Sequence, residues 1–455
     1  MKISSFYGLF LLGSALALPA CEARGGGEGD GDVGAAAEAL SNVNSGSYNL
    51  HLENTLRFNT IPAGADLVRG RALFGLAADG ETEDKTQALF QGLSQAAGGV
   101  ITSNQRTCFT CHRGIVATRL GLPRAPMSAS VAATDALFTG IDGDAQGDPD
   151  APSNLENLAL IKYRPNRFNP VRSESDPFRR VFFWRKSITL VNLAFAHGFL
   201  NDGRARAMFE TDRSAVFSHT QPGDTRFDDL FTLQDGADLE AFQFSVVSDP
   251  RLLALRDPAA PLYQALASDP FYTVDIHTQA QKRGKKVFQQ SCMTCHNTPN
   301  IFNNLSNVET RGNGERLENN PPFAPSVART FNVGVSERNL HRLRFTHDLG
   351  AGQFAPIVIP LVREDGIIKN VTVTFDIGLA ATTGRWEDIG RFKVPQLRGV
   401  KANAPYFHDN SAATLEEVVD YFNSDAYNKS KDGKNFPVHL DASKRADLLE
   451  FLEIL

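Results

Sequence analysis

Two pentapeptides, Cys108-Phe109-Thr110-Cys111-His112 and Cys292-Met293-Thr294-Cys295-His296, share the form Cys-x-x-Cys-His and use four of the chain's five cysteines. This is the spacing for covalent attachment of c-type haem. Two thiols three positions apart reach the two vinyl groups of one macrocycle. The adjacent His can then swing under the ring and ligate the iron through an imidazole nitrogen. The pattern implies two covalently bound haem c groups, attached at Cys108 and Cys111 and at Cys292 and Cys295, with His112 and His296 as proximal ligands. Cys-x-x-Cys pairs also serve as zinc knuckles, and two of them supply a four-thiolate site. A disulfide within either pair is a further reading. With only ten histidines in the chain, a His directly after both pairs favours haem.

The N-terminus reads as an export signal over residues 1–21, which c-type haem attachment requires in bacteria. Met1-Lys2 is a short basic start, and 6–18 is an apolar stretch too short to span a bilayer. Leu18-Pro19-Ala20-Cys21 resembles a lipobox, whose Cys is lipidated after cleavage; simple cleavage near Ala20 is the alternative. A lipid on Cys21 accounts for the fifth cysteine and predicts a periplasmic or cell-envelope protein tethered to a membrane face. Residues 22–48 are rich in Gly, Ala, Glu and Asp and read as a flexible linker. The remainder suffices for two domains. The formal charge of −6 disfavours nucleic acid as a partner.

A diverged internal repeat follows. Arg69-Gly70-Arg71-Ala72-Leu73-Phe74 precedes the first motif and Arg283-Gly284-Lys285-Lys286-Val287-Phe288 the second. Each reads as a short helix that brings an aromatic near the Cys-x-x-Cys-His turn. The spacer is residues 75–107 in the first copy and only Gln289, Gln290 and Ser291 in the second. Strand patterns are scarce. The β-branched stretch 357–375 predicts a hairpin turning at Asp365-Gly366, with Pro360 confining its strand to an edge. Leu448, Phe451, Leu452 and Leu455 fall at helical spacing. The expected fold is mainly α: two cytochrome-c-like haem domains, 49–272 and 273–455, packed face to face with few short strands. An insertion over 115–178 lies in the first.

Further segments carry a resemblance. Cys295-His296-Asn297-Thr298-Pro299-Asn300, Gly390-Arg391-Phe392-Lys393-Val394-Pro395-Gln396-Leu397-Arg398 and Ala404-Pro405-Tyr406-Phe407-His408-Asp409 stand in the C-terminal half, the last followed by Ala413-Thr414-Leu415-Glu416-Glu417. Leu190-Val191-Asn192 and Asp202-Gly203-Arg204-Ala205 stand in the N-terminal half. With the haem motifs, these resemble the bacterial di-haem cytochrome c peroxidases and their MauG-type relatives, from about residue 60 to the end. The resemblance implies a peroxidatic N-terminal haem and a C-terminal haem that receives electrons.

Several positions depart from the family pattern. Met-ligated members place the second haem's sixth ligand in the helix that begins at the Thr-Leu-Glu-Glu segment, and MauG-type members place a Tyr there. The equivalent residue, before Asn423, is Phe422, and no Met follows Met293. Tyr421, about 100° away around a helix, and His408 are the candidates for a sixth ligand, with Tyr406 nearby. The family's Trp between the haems is replaced by Asn201, leaving Trp184 and Trp386 as the only tryptophans. The family's distal His falls near Phe178. Counting from Asp202 places His219 near the family's distal glutamate, as the acid–base group or a sixth ligand; a structural or surface His is the other reading. Arg204 is a candidate partner for a haem propionate, or a structural salt bridge. His197 and Met208 are further distal candidates, while His341 and His347 read as surface residues. The acidic loop 142–150 alternates oxygen ligands around Gly residues as a calcium loop does, but lacks the closing Glu, so a solvated loop competes.

The resemblance implies reduction of hydrogen peroxide with electrons from a small donor protein, a cytochrome c or a cupredoxin. A MauG-like oxidase or oxygenase of a protein or organic substrate, and a non-enzymatic di-haem electron carrier, are the alternatives.

Overall fold

The two Arg-Gly-x-x-x-Phe segments fold as equivalent helices in the computed structural model. It describes residues 59, 61–89, 102–103, 106–113, 131–138, 151–163, 181–196, 198–205, 207–221, 231–303, 330–350 and 353–455, with backbone alone at 102–103, 151–152, 217–221 and 347–350. The elements that position the sites are helices α1 (Leu67–Phe74), α2 (Cys108–Cys111) and α3 (Ala151–Leu158), strands β1 (Leu160–Tyr163) and β2 (Phe183–Lys186), helices α4 (Met208–His219), α5 (Leu233–Gln243) and α6 (Gln279–Ser291), strands β3 (Val358–Val362) and β4 (Ile368–Thr372), and helices α7 (Leu415–Phe422) and α8 (Ala442–Leu452). The described residues are helix-rich with few short strands, all in two-stranded antiparallel sheets. Gly46–Leu455 form one compact unit. No helix among the described residues is long and apolar enough to cross a membrane. The export signal, Cys21, the linker and the acidic loop 142–150 lie outside the described residues.

α1 packs on α5, and α6 packs on α8, by the same device. A Cβ on Gly70 would stand 1.8 Å from the Asp238 carbonyl oxygen, and one on Gly284 would stand 1.9 Å from that of Asp447. Only Gly permits so close an approach of two helix backbones. The preceding Arg then pins the same Asp: Arg69 pairs with Asp238 and Asp235, and Arg283 makes two 2.7 Å bonds to Asp447. The Phe four positions after each Gly meets an aromatic four positions after each Asp. The Phe74 and Phe242 rings lie 5.1 Å apart, and those of Phe288 and Phe451 5.4 Å apart. The repeat therefore has a second half, Asp238-Leu239-x-x-Phe242 and Asp447-Leu448-x-x-Phe451, which the motif-by-motif reading passed over. Leu239, Leu448, Phe74 and Phe288 are buried, each worth about 1.5–3 kcal/mol on transfer from water. Caps set the starts: Asp66 accepts from the Val68 and Arg69 amides, and Thr278 forms a capping box with Gln281.

The predicted hairpin is present: β3 pairs with β4, Asp365-Gly366 lie in the turn, and Gly366 adopts φ +79°. Pro360, opposite Asn370, sits in a two-stranded sheet where both strands are edges. The described part of the 115–178 insertion supplies α3 and β1, and β1 pairs with β2. Leu448, Phe451, Leu452 and Leu455 are all buried.

Candidate cofactor sites

In the C-terminal site α6 delivers the chain directly into the second Cys-x-x-Cys-His turn, where the His296 amide donates to the Cys292 carbonyl at 2.9 Å. The loop that follows is built from side-chain bonds to backbone. Buried Asn300, at φ +61°, donates to the Leu266 and Asp269 carbonyls and accepts from the amide and hydroxyl of Thr273. The Thr298 hydroxyl donates to the Asn303 carbonyl. The result is a Phe302 carbonyl 3.0 Å from His296 Nδ1. A carbonyl only accepts, so Nδ1 carries the proton and the lone pair falls on Nε2, the tautomer of a metal-ligating His. Burial pulls the His296 pKa down to about 4, against the Phe302 and Pro395 carbonyls, so the ring is neutral at pH 7.

Cys292, Cys295 and His296 line a cavity of ≈ 330 Å³ whose other walls include Val335, Leu415, Val418, Val419 and Phe422. Apolar walls with two thiols and one imidazole are the chemistry a haem requires, and the volume lies in the range of cofactor pockets. Burial pushes the Cys292 and Cys295 thiols up to about 12. Of the two sixth-ligand candidates, His408 lines the cavity, with its ring stacked 3.9 Å from that of Phe392 and Nε2 3.1 Å from Ser336 Oγ. The Tyr421 hydroxyl donates to the Val333 carbonyl at 2.5 Å, and burial raises its pKa to about 12. Phe422, its neighbour, faces the cavity, as do Leu415, Val418 and Val419 of the same helix, whereas Tyr421 is not among the lining residues.

In the N-terminal site Thr107 and Thr110 cap α2 reciprocally, and both hydroxyls donate to Glu83 at 2.6 Å. This single turn holds Cys108 and Cys111. The Phe74 ring lies 6.4 Å from that of His112, as the repeat predicts. Ser187, one residue past β2, donates its hydroxyl to the Cys111 carbonyl at 2.9 Å. Its only hydrogen is thereby used, so the 3.1 Å contact with His112 Nδ1 has the imidazole as donor. His112 thus adopts the same tautomer as His296, with a hydroxyl oxygen in place of a carbonyl. Both sites fit a proximal ligand, and the sequence motif alone could not give either acceptor.

The two sets of family-like segments pack together. Asn192 donates to the Gln396 side chain at 2.8 Å, and Gln396 donates to the Val191 carbonyl at 2.7 Å. Arg185, on β2, clamps Asp376 with two bonds of 2.6 and 2.8 Å and Asp202 with one of 2.7 Å. Arg204 also bonds Asp202, at 2.8 Å, and lies 3.8 Å over the Tyr163 ring; this is the salt bridge its sequence reading allowed. Lys393, another wall of the cavity, donates to the Gly198 carbonyl, and burial lowers its pKa to about 8. Neither Trp184, in the core beside β1, nor the partly exposed Trp386 lines this cavity. Met208 is a core residue. His219 ends α4, but its side chain, like that of His347, is outside the described residues, as is His197 entirely. Among the described residues no three His, Cys, Asp or Glu converge as metal ligands, so the two Cys pairs do not build one four-thiolate site. The four cysteines in the two motifs are free of disulfides.

Sequence reasoning passed over Asp212. It is buried on α4, its Oδ1 accepts from Gln243 at 2.9 Å, and its Oδ2 has no partner among the described residues. Burial pushes its pKa up to about 8, against the Gln243 bond. The folded state then holds a proton that the unfolded chain has lost, so stability falls as pH rises from about 4 toward 8, by about 1.4 kcal/mol per unit. Asp212→Asn is expected to remove that slope: urea unfolding of variant and parent should differ little at pH 4 and strongly favour the variant at pH 8. Parallel pH profiles would show that the carboxyl is not held protonated.

No family model matches the chain. It is 37% identical over 121 residues to "Cytochrome-c peroxidase IdrP1" of Pseudomonas sp. (strain SCT), covering 24% of this chain and 32% of that protein. It is 24% identical over 291 residues to "Cytochrome-c peroxidase IdrP2" of Denitromonas iodatirespirans, covering 60% of this chain and 69% of that one. The chain thus spans about a third of the length of the first of these relatives. A solved structure of a MauG-like protein associated with microbial copper homeostasis aligns over 90% of this chain and 94% of that one, with TM-score 0.43 and 17% identity.

Proposed function

We propose that the chain, which is similar over part of its length to cytochrome-c peroxidases, is an exported di-haem oxidoreductase that reduces hydrogen peroxide at the N-terminal site with electrons received through the C-terminal site. One observation carries the reading: two Cys-x-x-Cys-His turns whose histidines each have Nδ1–H bonded to a fixed acceptor, one of them beside an apolar cavity. Haem, when bound, supplies an iron at each site that exchanges single electrons and, where a coordination position is open, accepts a peroxide oxygen. The chain attaches the groups at Cys108, Cys111, Cys292 and Cys295 and orients the proximal imidazoles of His112 and His296. His219 is proposed as the acid–base group that moves a proton between the peroxide oxygens, and Arg204 as a charge near the haem edge. Two electrons and two protons convert one peroxide into two waters. A small cytochrome c or cupredoxin supplies the electrons. The proposed setting is the periplasm or cell envelope, with a lipid on Cys21, and the proposed haem domains are 49–272 and 273–455.

A second reading is a MauG-like oxidase of a protein or organic substrate. Phe422 supplies neither the Met of the one pattern nor the Tyr of the other, and His408 is the sixth-ligand candidate on the wall under both readings. Optical and EPR spectra of the holoprotein, before and after stoichiometric peroxide, test both. One high-spin haem, spectral change with peroxide and turnover with a reduced donor protein support the peroxidase. Spectral change that no donor accelerates supports the oxidase. Two low-spin haems indifferent to peroxide would sink both and leave an electron carrier.

A further inference from the structure

The residues just after β2 touch both cofactor sites. On one side, the Ser187 hydroxyl accepts from His112 Nδ1–H and donates to the Cys111 carbonyl. On the other, Lys186, Ser187, Ile188 and Thr189 line the cavity that also holds Cys292, Cys295 and His296. One hydrogen bond and the covalent frame of a single residue therefore separate the N-terminal proximal imidazole from the wall of the C-terminal cavity. The segment is held from several directions. The Lys186 amide donates to the His408 carbonyl at 2.7 Å, and its ammonium to the carbonyls of Asn403 and Pro405. Asn201 donates to the Lys186 carbonyl at 3.1 Å, and Arg185 is clamped by Asp202 and Asp376. Asn201, which also lines the cavity, offers no aromatic ring at this junction.

The geometry points to Ser187 as the positioning residue that couples the two sites, setting the basicity of His112 and forming the contact across which one electron passes between the haems. It rests on the reading of both sites as haem sites, not on the peroxide chemistry. One iron is oxidised as the other is reduced, and no proton needs to move, because the Ser187 hydrogen stays on its own oxygen, donated to the Cys111 carbonyl. An acceptor on Nδ1–H makes the imidazole a stronger donor to iron and stabilises the ferric state. Removing it raises the potential of that haem alone.

The experiment uses the full-length holoprotein, Ser187→Ala and Ser187→Thr, each with haem content measured first. Midpoint potentials are read by spectroelectrochemistry, and intersite equilibration by rapid mixing with a one-electron reductant. Ser187→Ala is expected to slow equilibration about 10-fold and to raise the N-terminal potential while leaving the C-terminal one in place, and Ser187→Thr to restore both. A Ser187→Ala protein with two haems and unchanged rate and potential overturns the assignment. Fewer than two haems in the parent defeats the haem reading instead. If Ser187→Ala does not load haem, the iron–His stretching frequency of the parent and Ser187→Cys decides: a lower frequency with the weaker sulfur acceptor supports the coupling, and equal frequencies overturn it.

Discussion

Replacing Cys292 and Cys295 together by Ala is expected to halve the covalently bound haem, from two groups per chain to one, and to unfold the C-terminal half around α6–α8. The first outcome follows from the motif; the second follows from the cavity. An unfilled apolar void costs about 24 cal/mol per Å³, so the ≈ 330 Å³ beside His296 would cost about 8 kcal/mol if the walls stayed in place. Whole domains are stable by about 5–15 kcal/mol, so even part of that upper bound, which is reached only where the cavity stays dry, is a large destabilisation. Either Leu415, Val419 and Phe422 collapse inward or α6 and α8 lose their packing. Pyridine haemochrome assay counts the haem, and limited proteolysis with thermal unfolding reads the collapse. Two haems retained per chain would show that these thiols do not carry one. A one-haem protein with unchanged melting would show that the cavity is not shaped by its occupant.

Gly284→Ala is the second large effect. The added methyl would lie 1.9 Å from the Asp447 carbonyl oxygen and 2.7 Å from Phe451 Cβ, both backbone or near-backbone atoms that cannot swing aside. Ala gains about 1 kcal/mol of helix propensity over Gly. Overpacking of this kind costs about 3 kcal/mol or more, because α6 must lift off α8 and carry Phe288 away from Phe451 and Phe302. The net is a loss, read as a lower denaturant midpoint with an unchanged slope. Phe302 carries the carbonyl that holds His296, so the variant should also disturb the spectrum of the C-terminal haem. Gly70→Ala, 1.8 Å from the Asp238 carbonyl, should reproduce the stability loss in the other half and disturb the N-terminal haem through Phe74. A Gly284→Ala protein as stable as its parent would contradict the close approach of the helices.

The parts of this protein that were legible in its sequence are those where chemistry demands a local pattern. Two thiols and an imidazole must sit on adjacent turns to serve one macrocycle, so the Cys-x-x-Cys-His motifs can be read from spacing. Helix starts are local in the same way, since Thr278 and Thr414 cap within three residues. The hairpin at Asp365-Gly366 was legible because its turn needs a positive φ. The repeat Arg-Gly-x-x-x-Phe was visible too, and its partner Asp-Leu-x-x-Phe could have been found by asking what a Gly and an Arg on one helix face require opposite them. What stayed hidden depends on residues far apart in the chain. Nothing adjacent to Cys111 or His112 announces Ser187, which lies 75 residues beyond His112. The choice between Tyr421 and Phe422 as the cavity-facing residue turns on one step of helix rotation, which the Tyr421 bond to the Val333 carbonyl sets from 88 residues away. Likewise Arg204 could be a propionate partner or a salt bridge by sequence; it bonds Asp202, which Arg185 shares from outside the local motif. The sequence by itself determined where the two Cys-x-x-Cys-His motifs stand and which histidine adjoins each pair of thiols, because those constraints act through covalent neighbours. Only the tertiary structure decided how the histidines are held and what lies between the sites, because hydrogen-bond acceptors and cavity walls are chosen by packing across the whole chain.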